Sequence, residues 1–148
     1  MGDFFDKTGV GIGGNQIGLD PDGNIILVGT TSIASNGVTT VSKFTPSGQN
    51  IWVTPNAGGN ALAIDSQGNI YGAGVDVFNN NYVVTKVNSE GQLLWTFNRQ
   101  GFGPTVTDAT VDPFGNLLVA SYDLDLNSAV CRIITLKFPK DFTPAPIP

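Results

Sequence analysis

Asp20-Pro21-Asp22-Gly23-Asn24, Asp65-Ser66-Gln67-Gly68-Asn69 and Asp112-Pro113-Phe114-Gly115-Asn116 are three copies of one turn, Asp-x-x-Gly-Asn, set 45 and 47 residues apart. Each leads at once into an apolar run: Ile25 to Gly29, Ile70 to Gly74 and Leu117 to Ser121. Each is preceded by a short alternating stretch: Asn15 to Leu19, Asn60 to Ile64 and Thr107 to Val111. The Gly-Asn pair supplies the positive φ that a tight hairpin needs, and the opening Asp accepts nearby backbone N–H groups. The flanking stretches are therefore antiparallel neighbours, strands a and b of a repeated unit.

A polar loop follows each strand b and leads to a strand c that ends on lysine: Thr39 to Phe44, Asn81 to Val87 and Cys131 to Phe138. Two of these run into a second shared turn, Thr45-Pro46-Ser47-Gly48-Gln49 before Trp52 and Asn88-Ser89-Glu90-Gly91-Gln92 before Trp95. The tryptophans mark a strand d. Four short strands per unit at this period are the mark of a β-propeller blade. The third unit departs from the plan: Pro139 follows Lys137-Phe138, and neither the Gly-Gln pair nor a tryptophan appears. At the other end, Asp3-Phe4-Phe5 stands in the register of Trp95-Thr96-Phe97, so the N-terminus is expected to supply a strand d to an end blade.

The expected fold is all-β, with three four-stranded antiparallel units in residues 1–138. Residues 1–14 form a closing strand d and linker, 15–53 the first repeat, 60–97 the second, and 107–138 the third without its own strand d. Residues 139–148 are a Pro-rich arm, read as extended and as docking on a neighbouring subunit. Three blades are too few for a ring, since propellers have typically 4–8. Two copies joined head to tail give a six-bladed dimer; an open array or a piece of a longer protein are the alternatives.

The second unit, from Ala63-Ile64-Asp65 through Ile70-Tyr71 to Lys86-Val87-Asn88-Ser89-Glu90-Gly91-Gln92-Leu93-Leu94-Trp95, resembles the bacterial β-propeller repeat family called SBBP. The first unit matches slightly less well, and the third through its first three strands. The Gly-x-x-x-Trp turn is also similar to quinoprotein-type propeller blades. The resemblance implies a propeller used in surface, extracellular or interaction settings, and it carries no catalytic residue and no quinone site with it.

Composition narrows the function. Hydrophobic residues make up 41% of the 148, which argues for a packed core, and the chain's 19 glycines and 9 prolines suit a turn-rich all-β fold. The net charge of −5 opposes nonspecific binding to nucleic acid or anionic lipid. No run has the roughly 18 apolar residues of a membrane span, and Met1 to Lys7 reads as no signal peptide. Localisation is left open, with a virion or non-classical export to the cell exterior as settings.

With no histidine, the chain holds no Ser-His-Asp or Cys-His pair, and it is read as non-enzymatic, without cofactor or metal. An enzyme whose site is shared between chains is the remote alternative. Cys131, the sole cysteine, is expected to be a buried structural thiol in an apolar strand. Asp20, Gly23, Asp65, Gly68, Asp112 and Gly115 are assigned to turn geometry in preference to a ring of ligands. Asp123-Leu124-Asp125-Leu126-Asn127-Ser128 has alternating oxygens but lacks the Gly and Glu of an EF-hand loop, so a solvated loop is favoured over a cation site. Trp52 and Trp95 are placed between blades, with sugar stacking as the other reading, and Lys43, Lys86 and Lys137 are expected to snorkel at strand ends.

In a four-stranded meander the ab and cd turns share one end, and the bc loops and da linkers share the other. The second set varies in sequence, and variable loops on a rigid scaffold usually carry function. Phe78, Asn79, Asn80, Arg99, Phe102, Tyr122 and Asp125 are the expected contact residues. The functional expectation is a self-assembling propeller subunit with a structural or protein-binding role, as in a viral or phage particle or a bacterial surface assembly. Its partners are further copies of itself and other proteins, and the alternative is an oligomeric lectin that binds glycan.

Overall fold

The structure, a computed structural model, describes residues 12–33, 36–76, 78–125 and 130–144. Asp3-Phe4-Phe5, and with them the expected N-terminal strand d, lie outside the described residues. Eleven antiparallel strands form three small sheets, and no helix occurs among the described residues. The first sheet runs β1 (Ile12–Leu19), β2 (Ile25–Ile33), β3 (Asn36–Phe44) and β4 (Asn50–Pro55). The second runs β5 (Ala61–Ile64), β6 (Ile70–Asp76), β7 (Asn81–Val87) and β8 (Leu93–Gln100). The third has three strands, β9 (Pro104–Val111), β10 (Leu117–Asp125) and β11 (Val130–Phe138). Strands outrun the sequence boundaries where β-branched residues extend the pairing: β9 starts at Pro104 instead of Thr107, and β2 and β3 pair as far as Ile33 and Asn36.

The hairpin chemistry is local and repeated. In each ab turn the Gly N–H donates to the Asp carbonyl oxygen, at 2.9, 3.0 and 2.9 Å for Gly23, Gly68 and Gly115. Only the glycine takes positive φ (80°, 76° and 85°), while the following Asn returns to the strand. These are three-residue loops, a type I turn closed by a left-handed glycine. The cd turns at Thr45 and Asn88 repeat the design with Gly48 and Gly91. Just beyond them, one extra residue interrupts the register before each tryptophan, so both tryptophans are aimed by a β-bulge.

The three sheets stack face to face. Ile26, Val28 and Val41 of the first sheet pack on Leu62, Ile70 and Val87 of the second. The opposite face of the second sheet, with Tyr71, Ala73, Tyr82 and Val84, packs on Val106, Leu117, Val119, Leu136 and Phe138 of the third. Two-residue alternation along β6 and β7 thus gives the middle sheet an apolar side for each neighbour. Strand β5 lies beside both β1 and β9. The Gln16 Oε1 accepts the Leu62 N–H at 2.6 Å, and Asn15 Nδ2 donates to the Gly59 carbonyl at 2.9 Å. The three first strands line one shared groove of about 270 Å³ between Ile17, Leu62 and Thr110.

Both tryptophans pack between sheets. Trp52 lies against Gly91, where an added Cβ would sit 2.7 Å from the indole, and its Nε1 donates to the Ser89 carbonyl at 3.3 Å. Trp95 joins Phe97, Phe138 and Phe142 in an aromatic cluster with centroids 5.0–6.0 Å apart. The Phe142 N–H closes a turn on the Pro139 carbonyl, so residues 139–142 fold back onto their own chain. That corrects the reading of this part of the arm as docked on a neighbour: its phenylalanine finds an apolar seat between the second and third sheets. Residues 145–148 lie outside the described residues.

Candidate functional site

The repeated aspartates are consumed by their turns. In each, Oδ1 accepts the N–H of the residues two and four positions on, and Oδ2 accepts the Asn side-chain amide. What else reaches Oδ2 differs among the sheets. Lys43 Nζ lies 2.8 Å from Asp20 with both side chains buried, and it also donates to the Ser89 carbonyl at 3.3 Å. Burial opposes ionisation of Asp20, but the Lys43 and Asn24 hydrogen bonds outweigh it and hold the carboxyl below its usual value. In the second sheet the Tyr71 hydroxyl donates to Asp65 at 3.2 Å, and Lys86 stands over the Tyr71 ring at 5.1 Å. Burial, then Asp65, pushes the Tyr71 hydroxyl upward. Lys137 lies 3.9 Å from Asp112, in the open. The snorkelling expectation therefore fails for Lys43, which the second sheet covers.

The variable end of the sheets is built differently. Asp123, near the end of β10, pairs in register with Pro104 of β9 and Arg132 of β11. It faces the second sheet and is buried, and its Oδ1 accepts the hydroxyl of the fully buried Tyr82 of β7. Burial, reinforced by that hydrogen bond, pushes the Tyr82 hydroxyl up to about 12, so it remains a donor at neutral pH. Gly101 lets the linker after β8 cross this pair, for an added Cβ would come within 2.9 Å of both Asp123 and Tyr82. Its N–H is tied to the Asn80 carbonyl at 2.8 Å, and the Leu124 N–H to the Gly103 carbonyl at 3.3 Å. The linker so pinned lifts Phe102 out to 67% exposure. Phe102, Asp123, Val130 and Arg132 line a cleft of about 120 Å³. An exposed aromatic ring, an acceptor carboxylate and a guanidinium thus share one small concavity.

Of the seven expected contact residues, Phe102 lies in this cleft. Phe78, Asn79 and Asn80 are exposed on the turn after β6, where Asp76 accepts the Phe78 and Asn79 N–H groups and the Asn79 amide. The Asn79 amide above all, with both backbone bonds, holds the Asp76 carboxyl below its usual value. Arg99 is exposed on β8. Tyr122 belongs to β10, half-buried on the side opposite Asp123, because neighbouring residues of a strand point apart. Asp125 ends β10 opposite Val130. Asp123, Arg132 and Tyr82 were not expected at a site. The signal for Asp123 was its parity: it shares the core-facing side of β10 with Leu117 and Val119, an unusual place for a charge.

Asp123, Leu124 and Asp125 are strand residues and not the expected solvated loop, and Leu126, Asn127 and Ser128 lie outside the described residues. Among the described residues no group of three or more acidic or cysteine side chains is placed to hold a metal. Cys131 is exposed, against expectation, because it lies on the face of the third sheet that no other sheet covers among the described residues. No protein-family model matches the chain, and no curated protein is significantly similar to it.

Proposed function

We propose that this chain is a non-enzymatic β-propeller subunit of the SBBP type that completes its ring with a second copy of itself. One observation carries the reading: three successive sheets share one strand plan and one mode of stacking, yet the third stops at β11, which has no strand on its outer edge among the described residues. An unpaired edge is a template for another chain. Two copies give six blades, within the range in which propellers close, and the two seams are identical by symmetry. A rigid ring with variable loops at one end suits a structural or protein-binding role in a larger particle or surface assembly.

Light scattering on the 148-residue chain tests this. A species of twice 15.5 kDa is expected. A single 15.5 kDa species across the micromolar range removes the proposal.

A second reading has its own support in the Phe102–Asp123–Arg132 cleft. A flat apolar ring beside a carboxylate and a guanidinium fits a sugar, which offers a C–H face together with hydroxyl donors and acceptors. A glycan array tests it. Binding that Phe102→Ala abolishes supports a lectin activity, and silence on every sugar ends it.

A further inference from the structure

Counted from the turn aspartate, the three sheets place equivalent residues on equivalent faces. Three residues before it stand Ile17, Leu62 and Ala109, and five after it stand Ile25, Ile70 and Leu117. In the second and third sheets these residues form the seam with the preceding sheet: Leu62 and Ala109 are each 9% exposed, and Ile70 and Leu117 are buried. In the first sheet the same face has no preceding sheet among the described residues, and Ile17 is 70% exposed and Leu19 65%. The opposite face of the third sheet shows the complementary gap. Four residues before the lysine of strand c, Tyr82 is fully buried, whereas Ile133 is 90% exposed. Lys43, covered by the second sheet, corresponds to Lys137, whose side chain is largely exposed.

The two bare faces are thus the two halves of the interface that the chain makes twice within itself. We infer that the outer face of the first sheet packs on the outer face of the third sheet of a second copy, continuing the same stacking. This rests on the ring-forming reading and specifies it: the contact is head to tail, not like to like. The existing seam supplies the register. An added Cβ on Gly18 would sit 3.2 Å from Leu62 and 3.1 Å from Ile64. The third-sheet equivalent of Gly18 is Thr110, and the first-sheet equivalents of Leu62 and Ile64 are Ile17 and Leu19. Thr110 of one copy is therefore placed against Leu19 of the other.

A charge-swap experiment tests the pairing. Leu19→Glu and Thr110→Lys change exposed side chains, so each variant is expected to fold, with unchanged circular dichroism and tryptophan emission. Each alone is expected to shift from twice 15.5 kDa to 15.5 kDa by light scattering. Mixed in equal amounts, they are expected to regain the dimer mass, because one seam then joins Glu to Lys and the other is wild type. Wild-type dimers alongside dimeric single variants overturn this interface but leave self-assembly standing. Monomeric variants whose mixture stays monomeric overturn the head-to-tail arrangement. A monomeric wild type overturns the ring-forming reading itself.

Discussion

The middle sheet and the outer two are written in nearly the same text and live in different surroundings. Strand β7 alternates around a fully buried Tyr82 and Val84, while its counterpart β11 is exposed through its first four residues. The lysine that ends strand c is buried and ion-paired in the first sheet, stacked on a tyrosine in the second, and open to solvent in the third. The lesson is that a repeat encodes faces, and position in the stack decides what those faces cost or contribute. A buried Asp–Lys pair is a liability if one partner is removed, whereas the same pair at the surface is nearly free.

Four measurements break or sharpen that contrast. Lys43→Ala has the largest expected effect, since it strands the Asp20 carboxylate under the second sheet: a loss of about 3 kcal/mol in urea unfolding. Lys137→Ala is expected to leave the unfolding midpoint in place. Equal effects would mean that the two pairs share one environment. Next, Ile70→Ala opens a cavity between sheets and is expected to cost about 3 kcal/mol, against about 0.5 kcal/mol or less for Ile17→Ala in dilute monomer. A costly Ile17→Ala under dimer-forming conditions alone would sharpen the case that this face is a seam.

Two turn glycines give a smaller contrast. Gly23→Ala meets open space and carries only the strain of positive φ, about 1 kcal/mol. Gly91→Ala adds a clash with Trp52 and is expected to cost more and to shift tryptophan emission. The smallest effect is the pH dependence of Asp20. Its native value lies below the unfolded 3.8, so its contribution is fully present above that value. The contribution is lost as pH falls through the depressed native value. Acid titration of wild type against Asp20→Asn should show a steeper loss below about pH 4 in the wild type. Parallel curves would mean that Asp20 contributes nothing to acid sensitivity.

Much of the architecture was legible because its signals are local. Asp20, Gly23 and Asn24 close a hairpin through bonds spanning four residues, so one spacing announces three turns and the strands around them. Trp52 and Trp95 are aimed by a bulge that lies in the same short segment as each tryptophan. Of the cleft, only Phe102 was legible, as an aromatic residue in a Gly-rich linker. Asp123 escaped because its meaning depends on Tyr82, 41 positions away and in another sheet. Cys131 and Lys43 were misread for the same reason. An apolar strand sequence does not say whether a neighbour covers it, and a strand-end lysine does not say whether a loop closes over it.

The sequence by itself determined the turns, the strand count per unit and the alternation of faces, since these follow from backbone conformation and side-chain period. The tertiary structure alone decided which faces are buried, which Asp–Lys pair is desolvated, and that Phe142 returns to its own chain. Those outcomes depend on contacts between sheets. Residues distant in sequence make them, and no local spacing records them.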